Sequence, residues 1–333
     1  MKEYLQKLFS GNMLTQAEAE EAFNLMMRGA AGAEAIAGFL GALAARGESV
    51  AEIVGGALSL RRHALPFKTD RHDLIDVCGT GGDGAETFNI STTNALILAA
   101  GGLAVVKHGN RAVSSQSGSA DVLEELGLRI DLSAERAAAS LDQHGFTFLF
   151  APSFHPAMKH VAPVRRALGV RTIFNLLGPL ANPSGVKRQV IGVFAEKWLL
   201  PVAEALLALG TEEALVVWGT DGLDELSLSA PTRAIHLRGG KLIHLSLKPE
   251  DFGLSLAPLA SLVGGDKKAN ARITLAILNG EKGPRRDIVV MNAAAAFVVA
   301  GRAADWRAGA AMACEAIDSG KARRLIEELR IFT

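Results

Sequence analysis

Residues 74–106 read LIDVCGTGGDGAETFNISTTNALILAAGGLAVV, and this stretch decides the fold. An apolar run at 74–78 predicts a strand, a glycine-rich loop follows it, residues 94–100 predict a helix, and residues 103–106 predict a second strand. A strand, a helix and a strand in this order form a βαβ unit, whose two strands lie parallel in one sheet. We therefore expect an α/β fold with a central, mostly parallel sheet.

The segment before this stretch predicts helices. Thr15 with Glu18, and Ser49 with Glu52, form two capping boxes, each followed by apolar residues at helical spacing. After the βαβ unit, strands and helices alternate. We expect further strands at 146–150, 189–194 and 214–217, a helix at 199–209, and a hairpin over 235–245 that turns at Gly239-Gly240.

The chain has 333 residues, enough for two domains, and we expect a helical domain at 1–70 and an α/β domain at 71–333. Its 35 basic and 35 acidic residues cancel, so no overall field would attract nucleic acid or an anionic membrane. The longest apolar run is too short to cross a bilayer. Two cysteines are too few for a disulfide framework, which favours a reducing compartment. We expect a cytoplasmic protein that binds neither nucleic acid nor a membrane.

The first motif with chemical content is the loop GTGGDG at residues 79–84, directly after the first predicted strand. Glycine lets the backbone approach a phosphate closely, and NIST at 89–92 opens a helix whose free N–H donors carry partial positive charge. The alternative is a tight turn whose glycines serve geometry alone. Four glycines in six residues, next to a hydroxyl-rich helix start, favour the phosphate site.

The same loop also satisfies the dinucleotide fingerprint G-x-G-x-x-G, through Gly79, Gly81 and Gly84. That fingerprint requires the helix to begin at the glycines and an acidic residue about 20 residues later. Here residues 88–91 intervene before the helix, and the second strand ends in Lys107-His108. The nicotinamide interpretation therefore fails, and a P-loop fails as well because no Gly-Lys-Ser or Gly-Lys-Thr follows.

The second motif begins where the second predicted strand ends, with KHGNR at 107–111 and a series of serines and glycines through residue 119. In open α/β sheets, ligands bind at this edge. Lys107 and Arg111 supply positive charge, so the loop suits a pyrophosphate or a sugar phosphate. A solvated Ser/Gly loop is the alternative, and the cations at its start weigh against it.

The third motif is DGLDE at 221–225, after the strand predicted to end near residue 217. Clustered carboxylates suit Mg²⁺, which binds a few carboxylates together with waters and phosphate oxygens. Alone, the motif would be interpreted as a polar turn; beside two phosphate motifs it predicts a magnesium site. The sequence has no HExxH, no cysteine cluster and no EF-hand spacing, so we expect neither zinc nor calcium.

A fourth segment, residues 155–172, is rich in cationic side chains. Three of them are candidates for binding a carboxylate: Arg165, Arg166 and Arg171. His155 and His160 in the same segment are more typical of structural than of catalytic positions.

Taken in order, these motifs resemble those of one family, the anthranilate phosphoribosyltransferases. The similarity rests on GTGGDG (79–84), NIST (89–92), KHGNR (107–111), SGSAD (117–121), VRRALGVRTIFNLLGPLANP (164–183), DGLDE (221–225) and NAAAA (292–296). One such motif would be weak, whereas an ordered set over most of the chain is specific.

The resemblance implies a small helical domain and a large α/β domain of the nucleoside phosphorylase and phosphoribosyltransferase type, with substrates in the cleft between them. It implies that residues around 160–185 return to the helical domain, and that a homodimer forms through the helical domains. It implies transfer of the ribose phosphate of phosphoribosyl pyrophosphate (PRPP) to the amine of anthranilate in tryptophan biosynthesis, with Mg²⁺ as cofactor.

The resemblance also implies site residues, carried over by the matching motifs. PRPP would be bound by Gly79, Gly82, Asp83, Thr87, Asn89, Ile90, Ser91, Thr92, Lys107, His108, Gly109, Asn110, Arg111, Ala112, Val113, Ser114, Ser115 and Ser119. Anthranilate would be contacted by Gly79, His108, Asn110 and Arg165. Magnesium would be engaged by Ser91, Asp224 and Glu225, and the residues with a catalytic role would be Lys107, Asp224 and Glu225.

Some positions depart from the family pattern. Ala112 and Gln116 stand where Ser and Lys are frequent, and Trp218 stands where a His is common; none of them removes an implied ligand. Two other functions remain open. A pyrimidine nucleoside phosphorylase, similar in fold, would not need the paired acids of DGLDE, so metal dependence separates the two enzymes. A relative that binds nucleic acid would need a basic stripe, which the zero net charge disfavours.

Overall fold

Seven strands form one sheet in the computed structural model, which describes residues 1–112 and 116–332. They are β1 (Leu74–Gly79), β2 (Ala104–Gly109), β3 (Phe146–Phe150), β4 (Arg188–Gly192), β5 (Glu213–Gly219), β6 (Thr232–Arg238) and β7 (Lys241–Leu247). Across the sheet the order is β3-β2-β1-β4-β5-β6-β7; β6 pairs antiparallel with β5 and β7, and the other pairs are parallel. The expected α/β fold with a mostly parallel sheet is confirmed.

The helices of the described residues divide into a bundle before the sheet and layers on its two faces. They are α1 (Lys2–Phe9), α2 (Gln16–Met27), α3 (Ala33–Arg46), α4 (Val50–His63), α5 (Ile90–Ala100), α6 (Ser119–Glu125), α7 (Ala134–His144), α8 (Ala151–Phe154), α9 (Ala162–Leu168), α10 (Phe174–Leu180), α11 (Leu199–Ala208), α12 (Lys267–Leu278), α13 (Pro284–Val299), α14 (Trp306–Asp318) and α15 (Lys321–Ile331). None of them is long and apolar enough to cross a membrane.

Helices α1 to α4 form the N-terminal bundle, and both predicted capping boxes are present. Thr15 caps α2 and Ser49 caps α4; each hydroxyl accepts from the N–H of the glutamate three residues later, whose carboxylate accepts from the N–H of the cap. Glu52 of the second box also accepts from the N–H of Leu14 at 2.9 Å. This contact ties α4 to the segment that leads into α2.

Helices α9 and α10 pack against the same bundle. Phe174 of α10 lies edge-on to Phe23 of α2, with ring centroids 5.6 Å apart. Arg61 of α4 donates to the carbonyl of Leu180 at 2.7 Å, and Leu177 is fully buried in the same apolar cluster. The chain thus leaves the sheet region, joins the bundle and returns to the sheet at β4. The domain boundaries at residues 70, 160 and 185 stay predictions.

The sheet is covered on both faces. Ile75 and Val77 of β1 point into a core shared with α5, α6 and the four C-terminal helices α12 to α15. The alternate residues of β1 face the opposite side, where α7, α8, α11 and the bundle pack. Both faces are therefore apolar, as is typical of parallel strands.

The strand order reverses at β1, which locates the cleft. From β1 the chain moves outward through β2 and β3, and it then returns to the other side of β1 as β4. Ligands of open α/β sheets bind at such a switch point, beyond the carboxyl ends of the strands. Gly79 and Gly192, at the carboxyl ends of β1 and β4, are register partners there.

Strand β2 is longer than predicted. Its last three residues, 107–109, pair with residues 148–150 of β3, so the strand extends through Gly109. Lys107 and His108 therefore lie within the strand and not after it. Their side chains point to opposite faces of the sheet, because side chains alternate along a strand.

Candidate active site

The acidic turn at residues 221–225 lies against the carboxyl ends of β1 and β4. A Cβ atom on Gly79 would come within 2.3 Å of Oδ2 of Asp224, and a Cβ atom on Gly192 would come within 1.5 Å of the backbone oxygen of Asp224. A side chain at either position would overlap the turn, since close-packed interiors leave no such room. The two glycines therefore allow Asp224 to reach the switch point.

Asp224 is buried and joins the acidic turn to the glycine loop. Its Oδ2 accepts a hydrogen bond from the N–H of Gly81 at 2.7 Å. Its own N–H donates to Oδ2 of Asp83 at 3.4 Å, and Oδ1 of Asp83 accepts from the N–H of Ala85 at 3.1 Å. Gly81 and Gly82 have φ of +70° and +76°, which glycine adopts without steric cost. The first and third sequence motifs thus form one surface.

Glu225 extends this surface to the N-terminus of α5. Its Oε1 accepts from the N–H of Ser91 at 3.1 Å, one of the helix-terminal donors that carry partial positive charge. The hydroxyl of Ser91 lies 3.3 Å from Nζ of Lys107, which also donates to the carbonyl of Val77 at 2.7 Å. The buried ammonium of Lys107 is thereby fixed beside the helix start.

Three carboxyl groups crowd this part of the cleft. Burial, together with the nearby Asp83 and Glu225, raises the pKa of Asp224 well above its ordinary range. Burial raises the pKa of Glu225 to about 7, although the charge of Lys107 opposes that rise. The raised pKa values show that one ammonium does not balance the three groups in their ionised form, so a further cation would stabilise that form.

The donor set fits a magnesium ion that arrives with a phosphorylated substrate. Within residues 1–112 and 116–332, no three His, Cys, Asp or Glu side chains are grouped closely enough to hold a metal by themselves. Magnesium commonly binds to one or two protein carboxylates and completes its octahedral shell with waters and phosphate oxygens. Asp224 and Glu225 supply oxygen ligands of that kind, and the glycine loop beside them leaves room for phosphates.

The loop between β2 and α6 is held by its own polar groups. Ser119 donates to the carbonyl of Asn110 at 3.1 Å, and a carboxylate oxygen of Asp121 accepts from the N–H of Ala112 at 3.0 Å and of Gly118 at 2.9 Å. Gly109 faces Ser119 so closely that a Cβ atom would lie 2.3 Å from its hydroxyl. The predicted PRPP residues Val113, Ser114 and Ser115 of this loop lie outside the described residues.

Arg111 differs from what we expected of it. Its guanidinium is exposed and pairs with Asp121 at 3.0 Å and with Glu124 at 2.6 Å. The charge that we expected it to offer a phosphate is therefore already balanced by two carboxylates. Its backbone N–H also has a partner, since it donates to Oδ1 of Asn110 at 2.8 Å. A role of Arg111 in binding PRPP stays a prediction.

The start of α5 presents backbone more than side chains. Ile90 and Thr92 are buried, so only main-chain groups could face a ligand here, and the N–H of Ile90 already donates to the carbonyl of Phe88 at 2.8 Å. Asn89, the N-cap residue, donates through Nδ2 to the carbonyl of Ser117 at 3.1 Å and so links the glycine loop to the second loop. Thr87 forms an isolated antiparallel bridge with Val263.

Two of the residues expected to contact anthranilate lie against α10. Arg165 is half-buried, with its guanidinium carbon 5.0 Å from the ring centroid of Phe174. Burial lowers the pKa of Arg165, and guanidinium groups stay charged under such shifts. Nδ1 of His108 lies 3.3 Å from the carbonyl of Gly178 near the other end of α10. Arg166, by contrast, is exposed.

Three further residues lie near the site: His155, which was expected to be structural; Arg171, one of the three arginines considered for binding a carboxylate; and Gly192, which had no predicted role. The ring of His155 packs at a tilt against that of His108, with centroids 5.1 Å apart. Burial lowers the pKa of His108 to about 3 and that of His155 to about 4, so both rings are neutral at pH 7. Arg171 donates to the carbonyl of Gly82 in the glycine loop. Gly192 makes room for the acidic turn. The contacts of these three residues could not be predicted from a local sequence pattern, because their partners are distant in the chain.

Comparison with known proteins identifies the class to which this fold and site belong. A model described as "Glycosyl transferase family, a/b domain" matches residues 71–323, and one described as "Glycosyl transferase family, helical bundle domain" matches residues 2–64. The two matches lie on the sheet region and on the N-terminal bundle, respectively.

Individual relatives are more specific. The anthranilate phosphoribosyltransferase of Symbiobacterium thermophilum is 51% identical over all of this chain and 98% of its own length. The crystal structure of the Thermus thermophilus enzyme of that name superposes with a TM-score of 0.94 at 46% identity, covering 99% of this chain and 98% of the other. The Saccharomyces cerevisiae enzyme, in complex with PRPP and Mg, gives a TM-score of 0.90 at 31% identity, covering 98% and 96% of the two chains. This chain belongs to the anthranilate phosphoribosyltransferase family.

Proposed function

We propose that this chain transfers the 5-phosphoribosyl group of PRPP to the amine of anthranilate and releases pyrophosphate, a step of tryptophan biosynthesis. The observation that carries the proposal is made at the switch point of the sheet, where Asp224 contacts the glycine loop while Glu225 and Lys107 contact Ser91 at the start of α5. Relatives named anthranilate phosphoribosyltransferase, which align over nearly the full length of both chains, support it. The fold alone would not, because one fold serves many functions.

In this proposal the glycine loop and the start of α5 bind PRPP. Gly79 and Gly82 let the backbone approach the phosphates, and the N-terminus of α5 offers the N–H of Thr92, because the N–H of Ser91 donates to Glu225 and that of Ile90 to the carbonyl of Phe88. Lys107 supplies the buried positive charge. Asn89 holds the second loop through the carbonyl of Ser117, and that loop would contact the sugar phosphate.

We propose that Asp224 and Glu225, with Ser91 beside them, hold Mg²⁺ on the pyrophosphate group. The yeast relative was solved with PRPP and Mg, and the crowded carboxylates of this chain suit the same ion. When bound, the ion would offset negative charge on the departing pyrophosphate. Asp224 also hydrogen-bonds the glycine loop, so one residue would connect the metal and phosphate parts of the site.

Anthranilate would bind between the sheet edge and α10, with Gly79, His108, Asn110 and Arg165 around it. The guanidinium of Arg165 is partly desolvated and matches a carboxylate in shape and charge. A neutral His108 would keep a second positive charge away from the amine. A yeast relative was solved with 4-fluoroanthranilate, an analogue of this substrate.

In the reaction, the bond between C1 of the ribose and the pyrophosphate oxygen breaks as the amine approaches from the opposite face. Positive charge develops on the ribose and negative charge on the leaving group. Lys107 offsets the negative charge from a fixed, buried position. An aromatic amine is neutral at pH 7, so its lone pair needs no strong base, and positioning supplies much of the rate.

We further propose that the protein is a cytoplasmic homodimer joined through its helical bundles. Phe9 of α1 and Met13 in the segment after α1 are exposed for 69% and 61% of their surface, and both would be covered in such an interface. Cys78 and Cys314 are both free, which suits a reducing compartment.

An assay with the purified protein tests the proposed activity. Anthranilate is fluorescent, and its fluorescence should fall when PRPP and Mg²⁺ are both present. The alternative, a pyrimidine nucleoside phosphorylase, would instead cleave uridine or thymidine with inorganic phosphate and would work without divalent metal. If the protein cleaves a nucleoside in the presence of a chelator and does not consume anthranilate, it is a nucleoside phosphorylase and the proposed activity is wrong.

A further inference from the structure

Two buried asparagines of the C-terminal helices contact the candidate site from behind. Asn270 lies in α12 and Asn292 in α13, and both are almost fully buried. Asparagine is a poor helix former, and its amide is costly to bury unless its donors and acceptor are satisfied. Each amide makes at least one of its hydrogen bonds to a segment that carries a proposed site residue, which points to a role in the site.

Asn292 holds the chain directly after the acidic pair. Its Oδ1 accepts from the N–H of Leu226 at 3.0 Å, and its Nδ2 donates to the carbonyl of Leu226 at 3.0 Å and to that of Ile288 at 2.9 Å. The N–H of Leu226 belongs to the peptide group that follows Glu225. Asn292 thus pairs with the backbone of Leu226 as a neighbouring strand would. It fixes the peptide group next to Glu225 and therefore the orientation of the Glu225 side chain.

Asn270 holds the N-cap of α5. Its Nδ2 donates to Oδ1 of Asn89 at 2.9 Å, and its Oδ1 accepts from the N–H of Gly265 at 2.9 Å. Because Oδ1 of Asn89 is thereby occupied, Nδ2 of Asn89 is directed to the carbonyl of Ser117 at 3.1 Å. Asn270 therefore selects the orientation of the Asn89 amide and, through it, the distance between the two phosphate loops.

We propose that Asn270 and Asn292 are positioning residues with separate tasks, Asn292 for the metal-binding acids and Asn270 for the PRPP loops. The proposal rests on the proposed function, since it assigns the two residues to parts of the same site. Neither side chain touches substrate: each acts through the residue that it holds, Asn292 through Glu225 and Asn270 through Asn89.

The two tasks predict two different defects. Asn292→Leu removes both hydrogen bonds to Leu226 and should raise the half-saturating Mg²⁺ concentration by about 3- to 10-fold, the loss expected for one or two neutral hydrogen bonds. Asn270→Asp places a carboxylate oxygen against Oδ1 of Asn89 and should weaken PRPP binding by about 3- to 10-fold at saturating Mg²⁺. The Michaelis constant for anthranilate should change in neither variant.

Both quantities can be measured by calorimetric titration of the folded protein, with PRPP at fixed Mg²⁺ and with Mg²⁺ at fixed PRPP. The matched control is Thr274→Val, which removes a buried hydrogen bond of 2.9 Å between Thr274 of α12 and Thr93 of α5. It should lower the melting temperature and leave both affinities unchanged. Asn270→Gln and Asn292→Gln, which keep the amide, test whether geometry as well as hydrogen bonding is needed, and each should show a smaller form of its own defect.

The expected result is a crossed pattern, with the Mg²⁺ defect in Asn292→Leu and the PRPP defect in Asn270→Asp. Melting temperatures that fall while both affinities match those of Thr274→Val would overturn the proposal and leave the two residues purely structural. The titrations measure binding and need no turnover, so the two proposals can fail independently. If the unaltered protein binds PRPP with Mg²⁺ but does not consume anthranilate, the proposed function is wrong, whereas the roles of Asn270 and Asn292 in binding are still tested.

Discussion

At the scale of single residues, the identity of the acceptor substrate depends most on Arg165. Replacing it by glutamine keeps polarity and removes the charge that would bind the carboxylate. We expect Arg165→Gln to raise the Michaelis constant for anthranilate by ~10-fold or more, from the loss of about 1.5–3 kcal/mol, while the constant for PRPP moves little. Steady-state kinetics with each substrate varied in turn measures both constants.

Arg166 provides the matched control. It is exposed, whereas Arg165 is half-buried against Phe174. Adjacent residues of a helix point about 100° apart, so only one of them faces the cleft squarely. Arg166→Gln should therefore be close to neutral. An anthranilate defect in Arg166→Gln with normal kinetics in Arg165→Gln would show that the other arginine binds the carboxylate.

The acidic pair is the second test at this scale. Asp224→Asn combined with Glu225→Gln removes two negative charges and keeps the shape of the site. We expect the magnesium concentration needed for half-maximal activity to rise strongly, because the two ligands that the protein supplies at these positions would then be neutral amides. Glu327→Gln with Glu328→Gln, an exposed acidic pair in α15, is the control and should leave the requirement unchanged. Full activity of the site variant at low magnesium would show that Asp224 and Glu225 do not bind the metal.

Site residues that stand close together in the sequence, within one short motif, could be predicted from the sequence. Asp224 and Glu225 stand in a five-residue acidic motif, and four glycines crowd the loop at residues 79–84. Asn270 and Asn292 could not be assigned these contacts, because Asn270 contacts a residue 181 positions away and Asn292 one 66 positions away. Their side chains become informative only when the helices that carry them have packed.

At the scale of elements, strand β1 carries a buried acid whose protonation should affect stability. Oδ2 of Asp76 accepts from Nδ2 of Asn182 at 2.9 Å, in the segment that follows α10, while Oδ1 has no partner among the described residues. Burial raises the pKa of Asp76 to about 6, although Lys107 and the Asn182 hydrogen bond oppose the shift. The neutral acid is therefore the form that the fold prefers.

The sign of the pH dependence follows from the direction of this shift. The pKa of Asp76 in the folded protein lies above the value of about 4 for an unfolded aspartate, so the folded state holds the proton more tightly. Its stabilising contribution is complete below about pH 4 and is lost as the pH rises through 6. Asp76→Asn keeps an acceptor for Asn182 and cannot ionise.

Denaturant unfolding of both proteins between pH 4 and pH 8 tests this. The free energy of unfolding of Asp76→Asn relative to the unaltered protein should increase by about 1–3 kcal/mol across that range. A difference that stays constant with pH would mean that Asp76 titrates alike in the folded and unfolded states.

The elements themselves could be predicted where periodicity and turn chemistry agree. The βαβ unit, both capping boxes and the hairpin at Gly239-Gly240 are present at their expected places. The end of β2 could not be predicted, because residues 107–109 become strand by pairing with β3, a contact formed across more than 30 intervening residues. A local sequence pattern also does not predict the order of the strands in the sheet, and hence does not predict the switch point between β1 and β4.

At the scale of the whole molecule, the exposed apolar residues of the bundle predict self-association. Light scattering during size-exclusion chromatography should give twice the 35.0 kDa mass of the chain. Phe9→Glu places a charge in the proposed interface and should shift the protein towards the monomer. Ile331→Glu, at a residue that is 80% exposed in α15, is the matched control and should leave the dimer intact. A monomer in the unaltered protein would contradict the proposed interface.

The central claim is that this chain joins two particular substrates, and one measurement tests it most directly. PRPP, Mg²⁺ and anthranilate are incubated with the protein, and the loss of anthranilate and the release of pyrophosphate are followed in the same sample. We predict that both proceed at equal rates, that both stop when Mg²⁺ is chelated, and that aniline, which lacks the carboxylate, replaces anthranilate poorly. Pyrophosphate release that proceeds at the same rate without anthranilate, or anthranilate that is not consumed at all, would contradict it.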